Sequence, residues 1–545
     1  MHTKSINLYV ILTVLLAVVT IFALIAFLGN SGPTEKDPLY YCARAGDLSH
    51  PDSAIMGRYL LVYIISLMHL IFRYLPTAGI VTSVLLWAVN VALWSYIAFR
   101  IDRTGPTVFA TCVLLVFNPF FLEFAVNVLS DPLGIFLVGA AVSLVALPEH
   151  PSRGYFFLAG FLLGLGMRAR EVLAVAGAVT LFSLALDRVV RRKDSPRKIA
   201  WAAFGSLSGW LSVMLLDAAL LHNSLFSVSP GTYQSQAALY RGSVGGLPDL
   251  TFPECMVARN VLPFTMVLIL GAFARIGHSA LQKALLFLSF SVFAIESVLM
   301  SRYSIGFIEF RYLFVALIPL TPLAASFLWE RVRASLPEWD RGLKWSILGF
   351  ISVACLVLIG LRSRQVMFYT LPILLFPAFY CLLRLPVTHH GNLVAIVILV
   401  TAYLGQGAGI GFIHMRDYGD FSSFWVRVTA YLQKHPNHVL EVDPRIPEQD
   451  YLHRRLDGVM TVYVDHAFMI GGKDGKAQQS TLYVCPTDSL GEKTPADNRR
   501  GMTVLKSRFW DLVEKRQATT SSLQRLVPLT KTDLEKQAAA GSLVR

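Results

Sequence analysis

Charged residues are scarce in this sequence, where Asp, Glu, Lys and Arg make up only 15% of 545 residues. Soluble proteins carry about 25% charged residues, whereas this chain is 54% hydrophobic. The composition therefore excludes an ordinary soluble domain and indicates a multi-pass membrane protein. In such proteins a net charge as high as the +13 of this chain usually comes from basic cytosolic loops that contact lipid headgroups. We therefore expect no nucleic-acid partner.

Several motifs that carry chemistry are missing. The sequence has no zinc-type Cys/His spacing, no phosphate-binding Walker loop and no dinucleotide-binding glycine motif, which argues against ATP-driven transport by this chain. No Ser/His/Asp or Cys/His set indicates a covalent nucleophile. Of the six cysteines, Cys42, Cys255 and Cys485 lie in polar segments, and the sequence does not choose a disulfide among them.

Long apolar segments are abundant. A helix needs about 20 apolar residues to cross the hydrocarbon core, and thirteen segments approach this length. They are 6–28, 78–99, 107–123, 132–148, 155–169, 171–187, 199–221, 261–278, 282–300, 311–329, 343–361, 366–384 and 392–414. The segment 57–75 is interrupted by Arg58, His69 and Arg73, so we predict an interfacial helix there. Basic loops such as 188–198 then share the cytosolic side with the N-terminus.

This topology predicts two domains and two long outer loops. Residues 1–414 form the membrane domain, and the outer loops are 29–77 and 222–260, the second a lid, a binding loop or a mere connector. Residues 415–545 are polar and predict a small α/β domain outside the membrane. Its predicted strands are 438–443, 461–465 and 481–485. Its predicted helices are the amphipathic segment 420–435 and the segment 502–516.

Charged residues at the outer ends of the spans are candidates for binding an anion. Arginine next to hydrocarbon is costly and tends to be functional or paired. A lipid phosphate is the simplest anionic ligand; the alternatives are the pairs Arg168–Glu171 and Arg311–Glu309. Glu296 lies inside a span and is either paired or part of a site, and Asp131 is a candidate helix N-cap. The arginines are Arg168, Arg170, Arg302 and Arg311.

The first outer loop carries carboxylates beside aromatic rings. Glu35 and Asp37 precede Tyr40 and Tyr41 just after the first span. A carboxylate held there suits a general base acting on a hydroxyl, or a metal ligand near a phosphate. The alternative is a solvated loop between two helices.

Five short motifs, in this order, resemble those of the GT-C superfamily of membrane glycosyltransferases. They are 37–41 (DPLYY) in the first outer loop, 118–119 (NP) followed by 130–131 (SD), the glycine-rich 160–168 ending in an arginine, and 311–319, which opens with Arg-Tyr and holds a later proline. Within the superfamily, the chain resembles the protein O-mannosyltransferases and the aminoarabinose transferases that modify lipid A. The resemblance covers most of 1–330 and, more loosely, the outer C-terminal domain.

This resemblance implies a polytopic α-helical GT-C fold that transfers a sugar from a polyprenyl-phosphate donor to an acceptor outside the membrane. Asp37 would be the base, although Lys36 separates it from Glu35, so both carboxylates stay candidates. The resemblance implies that Arg168, Arg170, Arg302 and Arg311 bind the phosphate. It implies substrate contacts from Tyr40, Tyr41, Asp131, Glu309 and Tyr312. Whether a divalent metal ion is bound stays open, and its candidate ligands are Asp37, Asp131 and Glu309.

The acceptor stays open among lipid, glycan and protein. Short cytosolic loops and an outer soluble domain favour a bacterial inner membrane, where the chain contacts membrane lipids. Two other functions remain as alternatives. A transporter or flippase would show internal repeats or broken helices around midplane charges. A non-catalytic GT-C-like scaffold would look much the same in sequence.

Overall fold

The structure is a computed structural model that describes most of the membrane domain and four strands beyond it. The described residues are 2–28, 41–42, 44–46, 48, 58–73, 75–192, 196–220, 261–274, 279–303, 310–362, 364–411, 439–442, 481–486, 502–506 and 510–515. The predicted outer loop 222–260, the predicted helix 420–435 and the predicted strand 461–465 lie outside them.

The membrane domain is helical throughout its described part. The helices are α1 (His2–Leu28), α2 (Tyr59–Phe72), α3 (Leu75–Asp102), α4 (Gly105–Val116), α5 (Pro119–Val126), α6 (Asp131–Ala146), α7 (Arg153–Gly166), α8 (Glu171–Arg192), α9 (Arg197–Leu220), α10 (Leu262–Ile269), α11 (Ala280–Tyr303), α12 (Phe310–Leu317), α13 (Thr321–Ser335), α14 (Trp339–Arg362), α15 (Arg364–Arg384) and α16 (Gly391–Gly411). Short 3-10 helices occupy Leu270–Phe273, Ile318–Leu320 and Leu336–Glu338.

Among the described residues, six helical segments are long and apolar enough to cross a membrane: α3, α9, α16, Glu171–Val190, Ala280–Val298 and Phe314–Ser335. The bent pair α4 and α5 makes a seventh if it counts as one span. The chain is therefore a multi-pass membrane protein. The other six predicted spans correspond to apolar stretches of 10–17 described residues, so the count of thirteen stays a prediction.

The segment 107–123, predicted as one span, contains two helices that meet at 68°. Pro119 has no N–H to continue α4, and the Asn118 side chain accepts hydrogen bonds from the backbone of Phe120 and Phe121, both at 3.1 Å, as the N-cap of α5. The break leaves carbonyls of α4 without helical partners. Tyr403 of α16 donates its hydroxyl to one of them, that of Leu114, at 2.5 Å.

Helices α7 and α9 pack backbone against backbone. A Cβ added at Gly160 or Gly164 would overlap carbonyl oxygens of α9, and one added at Gly205 or Gly209 would overlap those of α7. Both helices thus carry the small-xxx-small pattern that brings membrane helices into close contact. The glycines that the sequence marked as a family motif therefore hold α7, and the arginine turn that follows it, against α9.

We expect Gly164→Ala to destabilise the protein by about 1–3 kcal/mol, because its Cβ would meet the carbonyl oxygen of Ser206 and the two backbones would have to separate. Thermal unfolding in detergent measures the effect. Gly154→Ala is the matched control, since a Cβ there meets only the Ser152 hydroxyl at 3.6 Å. Equal melting temperatures for the two variants would contradict the close packing of α7 on α9.

Beyond the membrane domain, the described strands form one sheet in the order β1-β2-β4-β3. They are β1 (Val439–Val442), β2 (Thr481–Pro486), β3 (Met502–Lys506) and β4 (Trp510–Lys515). The predicted strands 438–443 and 481–485 are confirmed, and β1 and β2 pair in parallel.

The helix predicted for 502–516 is wrong, because this segment is the antiparallel hairpin β3–β4. Strand β4 pairs over its whole length with β2, about thirty residues earlier in the chain. Such distant pairing overrides local periodicity, which is all that a sequence window contains. The α/β character, the boundaries and the outer location of 415–545 stay predictions.

Candidate functional site

Seven charged residues from five helices and the segments beside them come together. Three of the residues are arginines and four are acids, in a region where most side chains are at least four-fifths buried. We call this group the charged cluster, and its members are Arg58, Asp131, Arg168, Arg170, Glu171, Asp217 and Glu296.

The turn between α7 and α8 supplies three members of the cluster. It is a tight turn in which the backbone N–H groups of Arg168 and Arg170 donate to the carbonyls of Leu165 and Gly166 at 2.9 and 2.8 Å. Glu171 then opens α8, where a negative charge is favoured by the helix dipole. The turn directs its three charges to partners on three other elements.

Arg170 pairs with Asp131, the first residue of α6. Its Nε lies 3.1 Å from Oδ1 of Asp131, and both side chains are at least 95% buried. Gly134, one turn further along α6, makes room for this approach, because a Cβ there would lie 2.6 Å from Cβ of Arg170. Asp131 is thus an ion-pair partner; Ser130 occupies the N-cap position of α6.

Arg168 pairs with Asp217, in the last turn of α9, and both side chains are almost completely buried. The second carboxylate oxygen of Asp217 accepts a hydrogen bond of 2.5 Å from the Tyr63 hydroxyl of α2. The predicted alternative pair, Arg168 with Glu171, is therefore wrong. One buried carboxylate instead joins α2, α9 and the arginine turn.

Glu171 pairs with Arg58, the residue before α2. Nη2 of Arg58 lies 3.0 Å from Oε1 of Glu171, and Nε lies 3.5 Å from Oε2. Beside this pair, the backbone N–H of Leu60 donates to the carbonyl of Arg168 at 3.3 Å. The start of the predicted interfacial helix, a helix in the structure as expected, is therefore attached to the arginine turn.

Glu296 of α11 is the fourth acid of the cluster. Its side chain is buried, and it lies close enough to interact electrostatically with Asp131, Arg170, Glu171 and Arg58. The sequence predicted that this carboxyl is either paired or part of a site. The structure places it in the same cluster as the arginine turn.

The described end of the first outer loop packs on the segment before α6. The Tyr41 hydroxyl donates to Oγ of Ser130 at 3.4 Å, and both side chains are buried. The thiol of Cys42 lies over Gly79, where a Cβ would not fit. Cys42 is a free cysteine, and its burial raises the pKa of the thiol well above the usual range, so the group stays neutral.

Only some of the predicted site residues can be placed. Arg168, Arg170, Asp131 and Tyr41 lie in one region. The backbones of Arg302, Arg311 and Tyr312 lie in α11 and α12, while their side chains lie outside the described part. Glu35, Asp37, Tyr40 and Glu309 lie outside the described residues altogether.

Asp217 is the residue that the sequence analysis missed. It is an acid within the apolar segment 199–221, and such an acid tends to be paired or functional. This signal was available in the sequence, although its partner Arg168 was not, because only the packing of α7 on α9 brings the two together.

The described residues do not by themselves fit a metal ion. No group of three His, Cys, Asp or Glu side chains within the described part is arranged to hold one, and Asp131 is engaged by Arg170. The metal site predicted from Asp37, Asp131 and Glu309 stays a prediction, because the other two acids lie outside the described residues.

No family model and no curated protein matches this sequence. Among solved structures, ArnT from Cupriavidus metallidurans bound to undecaprenyl phosphate is similar over 93% of this chain and 98% of its own, with 15% identity and a TM-score of 0.55. Its apo state gives the same coverage and identity and a TM-score of 0.54. The Archaeoglobus fulgidus oligosaccharyltransferase, at 11% identity, covers 82% of this chain and 59% of its own with a TM-score of 0.40, too low to establish a shared fold. The similarity over nearly the full length of both chains shows that this protein has the fold of the GT-C membrane glycosyltransferases.

Proposed function

We propose that this protein is a glycosyltransferase that moves a sugar from a polyprenyl-phosphate donor to an acceptor hydroxyl outside the membrane. The observation that carries the proposal is the buried charged cluster next to the first outer loop, in a chain with this fold. Burying seven ionisable groups in a membrane protein is costly, and such groups usually serve a site. The similar structure with undecaprenyl phosphate bound indicates the class of donor.

The proposed reaction is a single displacement. A base in the first outer loop, Asp37 or its neighbour Glu35, accepts the proton of the acceptor hydroxyl, and the acceptor oxygen attacks the anomeric carbon. The bond from that carbon to the phosphate oxygen breaks with inversion, and the lipid phosphate leaves with its negative charge. Arginines stabilise that charge without having to transfer a proton.

The proposed phosphate ligands fall into two groups, which differ in how a phosphate could reach them. Arg168 and Arg170 are each about 4% exposed and already face the carboxylates of Asp217 and Asp131, so a phosphate would have to enter the cluster to reach them. Arg302 and Arg311 belong to the outer ends of α11 and α12 in the proposed topology. We propose that Arg311 makes the main phosphate contact. Arg168 and Arg170, whose charges are balanced by Asp217 and Asp131, would contact the phosphate only where it displaces these carboxylates.

A turnover assay tests the proposal. The purified protein in lipid nanodiscs is given undecaprenyl-phosphate-linked sugars with a radiolabel and a set of lipid, glycan and peptide acceptors. Transfer of label to an acceptor supports the enzyme. Movement of the labelled lipid between leaflets without transfer would support a flippase instead, and donor binding with neither event would support a scaffold.

Arg311→Ala is expected to weaken binding of the lipid-linked donor. Losing one hydrogen bond to a charged group costs about 1.5–3 kcal/mol, or roughly a 10- to 150-fold rise in Kd. Binding of a labelled polyprenyl phosphate to nanodiscs measures it. Arg333→Ala, an exposed arginine in the last turn of α13, is the control and should leave Kd unchanged. An unaltered Kd for Arg311→Ala would remove this residue from the phosphate site.

A further inference from the structure

Two described parts of the first outer loop, one on each side of residues 49–57, are attached to neighbouring parts of the charged cluster. On one flank, Tyr41 reaches Ser130 in the segment before α6. On the other, Arg58 reaches Glu171 at the start of α8, and Leu60 bonds to the arginine turn. The candidate bases Glu35 and Asp37 lie on the N-terminal side of this attached region, a few residues before Tyr41.

The two attachments belong to one continuous series of contacts. Ser130 and Asp131 are consecutive residues, as are Arg170 and Glu171, and the pair Arg170–Asp131 joins the two dipeptides at 3.1 Å. The contacts therefore run from Tyr41 through the two dipeptides to Arg58. A shift at either end of this series of contacts would therefore also displace the dipeptides that hold the other end.

The pair Arg58–Glu171 differs from the other two pairs in exposure. Its side chains are 11% and 19% exposed, against 5% or less for Arg168–Asp217 and Arg170–Asp131. A more exposed pair contributes less to stability, because water already screens its charges. Of the three ion pairs, it is also the one that holds the first outer loop directly, while the other two join helices and the turns between them.

We propose that the Arg58–Glu171 ion pair is a positioning pair. It holds the first outer loop against the arginine turn and so keeps the proposed base of that loop, Asp37 or Glu35, aligned with the donor site. The inference rests on the proposed function and adds a residue pair to that site. Neither residue needs to touch the substrate. A misplacement of about 1 Å at the reacting groups can cost on the order of 10² in rate, so losing the pair lowers kcat more than it changes donor binding.

The experiment is a double-mutant cycle of Arg58→Met and Glu171→Gln, with melting temperature, kcat and donor KM measured for each variant. Each single variant removes one member of the pair and leaves the opposite charge, which is more than four-fifths buried, without this partner. We therefore expect a lower melting temperature and a kcat reduced by roughly 10²-fold at near-constant KM. The double variant carries no unpaired charge. Its melting temperature should return towards that of the wild type. Its kcat should stay about 10²-fold below wild type, whereas two independent losses would multiply to about 10⁴-fold.

A purely structural role would give another pattern. In that case kcat would recover together with the melting temperature in the double variant, and this result would overturn the proposal. Arg188→Met is the matched control: it removes a buried arginine near the other end of α8 that holds the carbonyls of Val145, Pro148 and Glu149. We expect it to lower the melting temperature and leave kcat per folded molecule unchanged.

Hydrogen exchange separates failure of this inference from failure of the proposed function. In both the Glu171→Gln and the double variant, amides of residues 58–62 should exchange faster than in wild type, whether or not the protein transfers a sugar. If wild type turns over no donor but exchange rises as expected, the proposed function fails and the attachment of the loop stands. Unchanged exchange in an active enzyme would overturn the positioning role.

Discussion

Asp37→Asn is expected to lower kcat by roughly 10²–10⁴-fold while donor binding is largely preserved, because general-base catalysis contributes about that factor. Asparagine keeps the size and polarity of the side chain and removes its basicity. The position of Asp37, just after the first span and before Tyr40 and Tyr41, is the sequence feature behind this expectation. Steady-state kinetics with the labelled lipid-linked sugar, together with donor binding measured separately, distinguishes loss of the base from loss of substrate.

The acids around Asp37 supply the controls. Glu35→Gln should have a smaller effect, and Asp47→Asn or Asp52→Asn, in the same loop, should have little. If Glu35→Gln abolishes turnover while Asp37→Asn does not, the base is Glu35. If neither substitution changes kcat, the enzyme hypothesis loses its base, and the scaffold and the transporter become the better explanations.

Asp217→Asn is expected to destabilise the folded protein by about 3–5 kcal/mol, because it leaves the guanidinium of Arg168 buried without its carboxylate. The substitution keeps the shape of the side chain and an oxygen for the Tyr63 hydroxyl, so the lost charge accounts for most of the effect. Thermal unfolding in detergent, followed by tryptophan fluorescence, measures it.

Two further variants are compared with Asp217→Asn in the same unfolding experiment. Lys344→Gln changes an exposed charged residue and should shift stability by less than about 0.5 kcal/mol. The double variant Arg168→Gln/Asp217→Asn removes both charges and should be more stable than Asp217→Asn alone. If Asp217→Asn melts like Lys344→Gln, the pair does not hold α9 to the arginine turn.

The sequence by itself determined the class of protein and most of its helices. Apolar length is a local property, so the spans around 78–99 and 199–221 could be predicted from composition alone. The cost of charge in hydrocarbon singled out Arg168, Arg170, Asp131 and Glu296, and the structure brings these four into one cluster.

Only the tertiary structure decided which charges pair. Sequence neighbours suggested Arg168 with Glu171, but the turn between α7 and α8 points these two side chains at different elements. Contact between Arg168 and Asp217 depends on four glycines that let α7 and α9 touch, and no local pattern specifies which helix lies opposite. The hairpin at 502–515 was misjudged for the same reason, since its second strand is fixed by pairing with β2. Local periodicity sets the secondary structure that a segment favours, while the partner of a buried charge or a strand is chosen by long-range packing, which a sequence window does not contain.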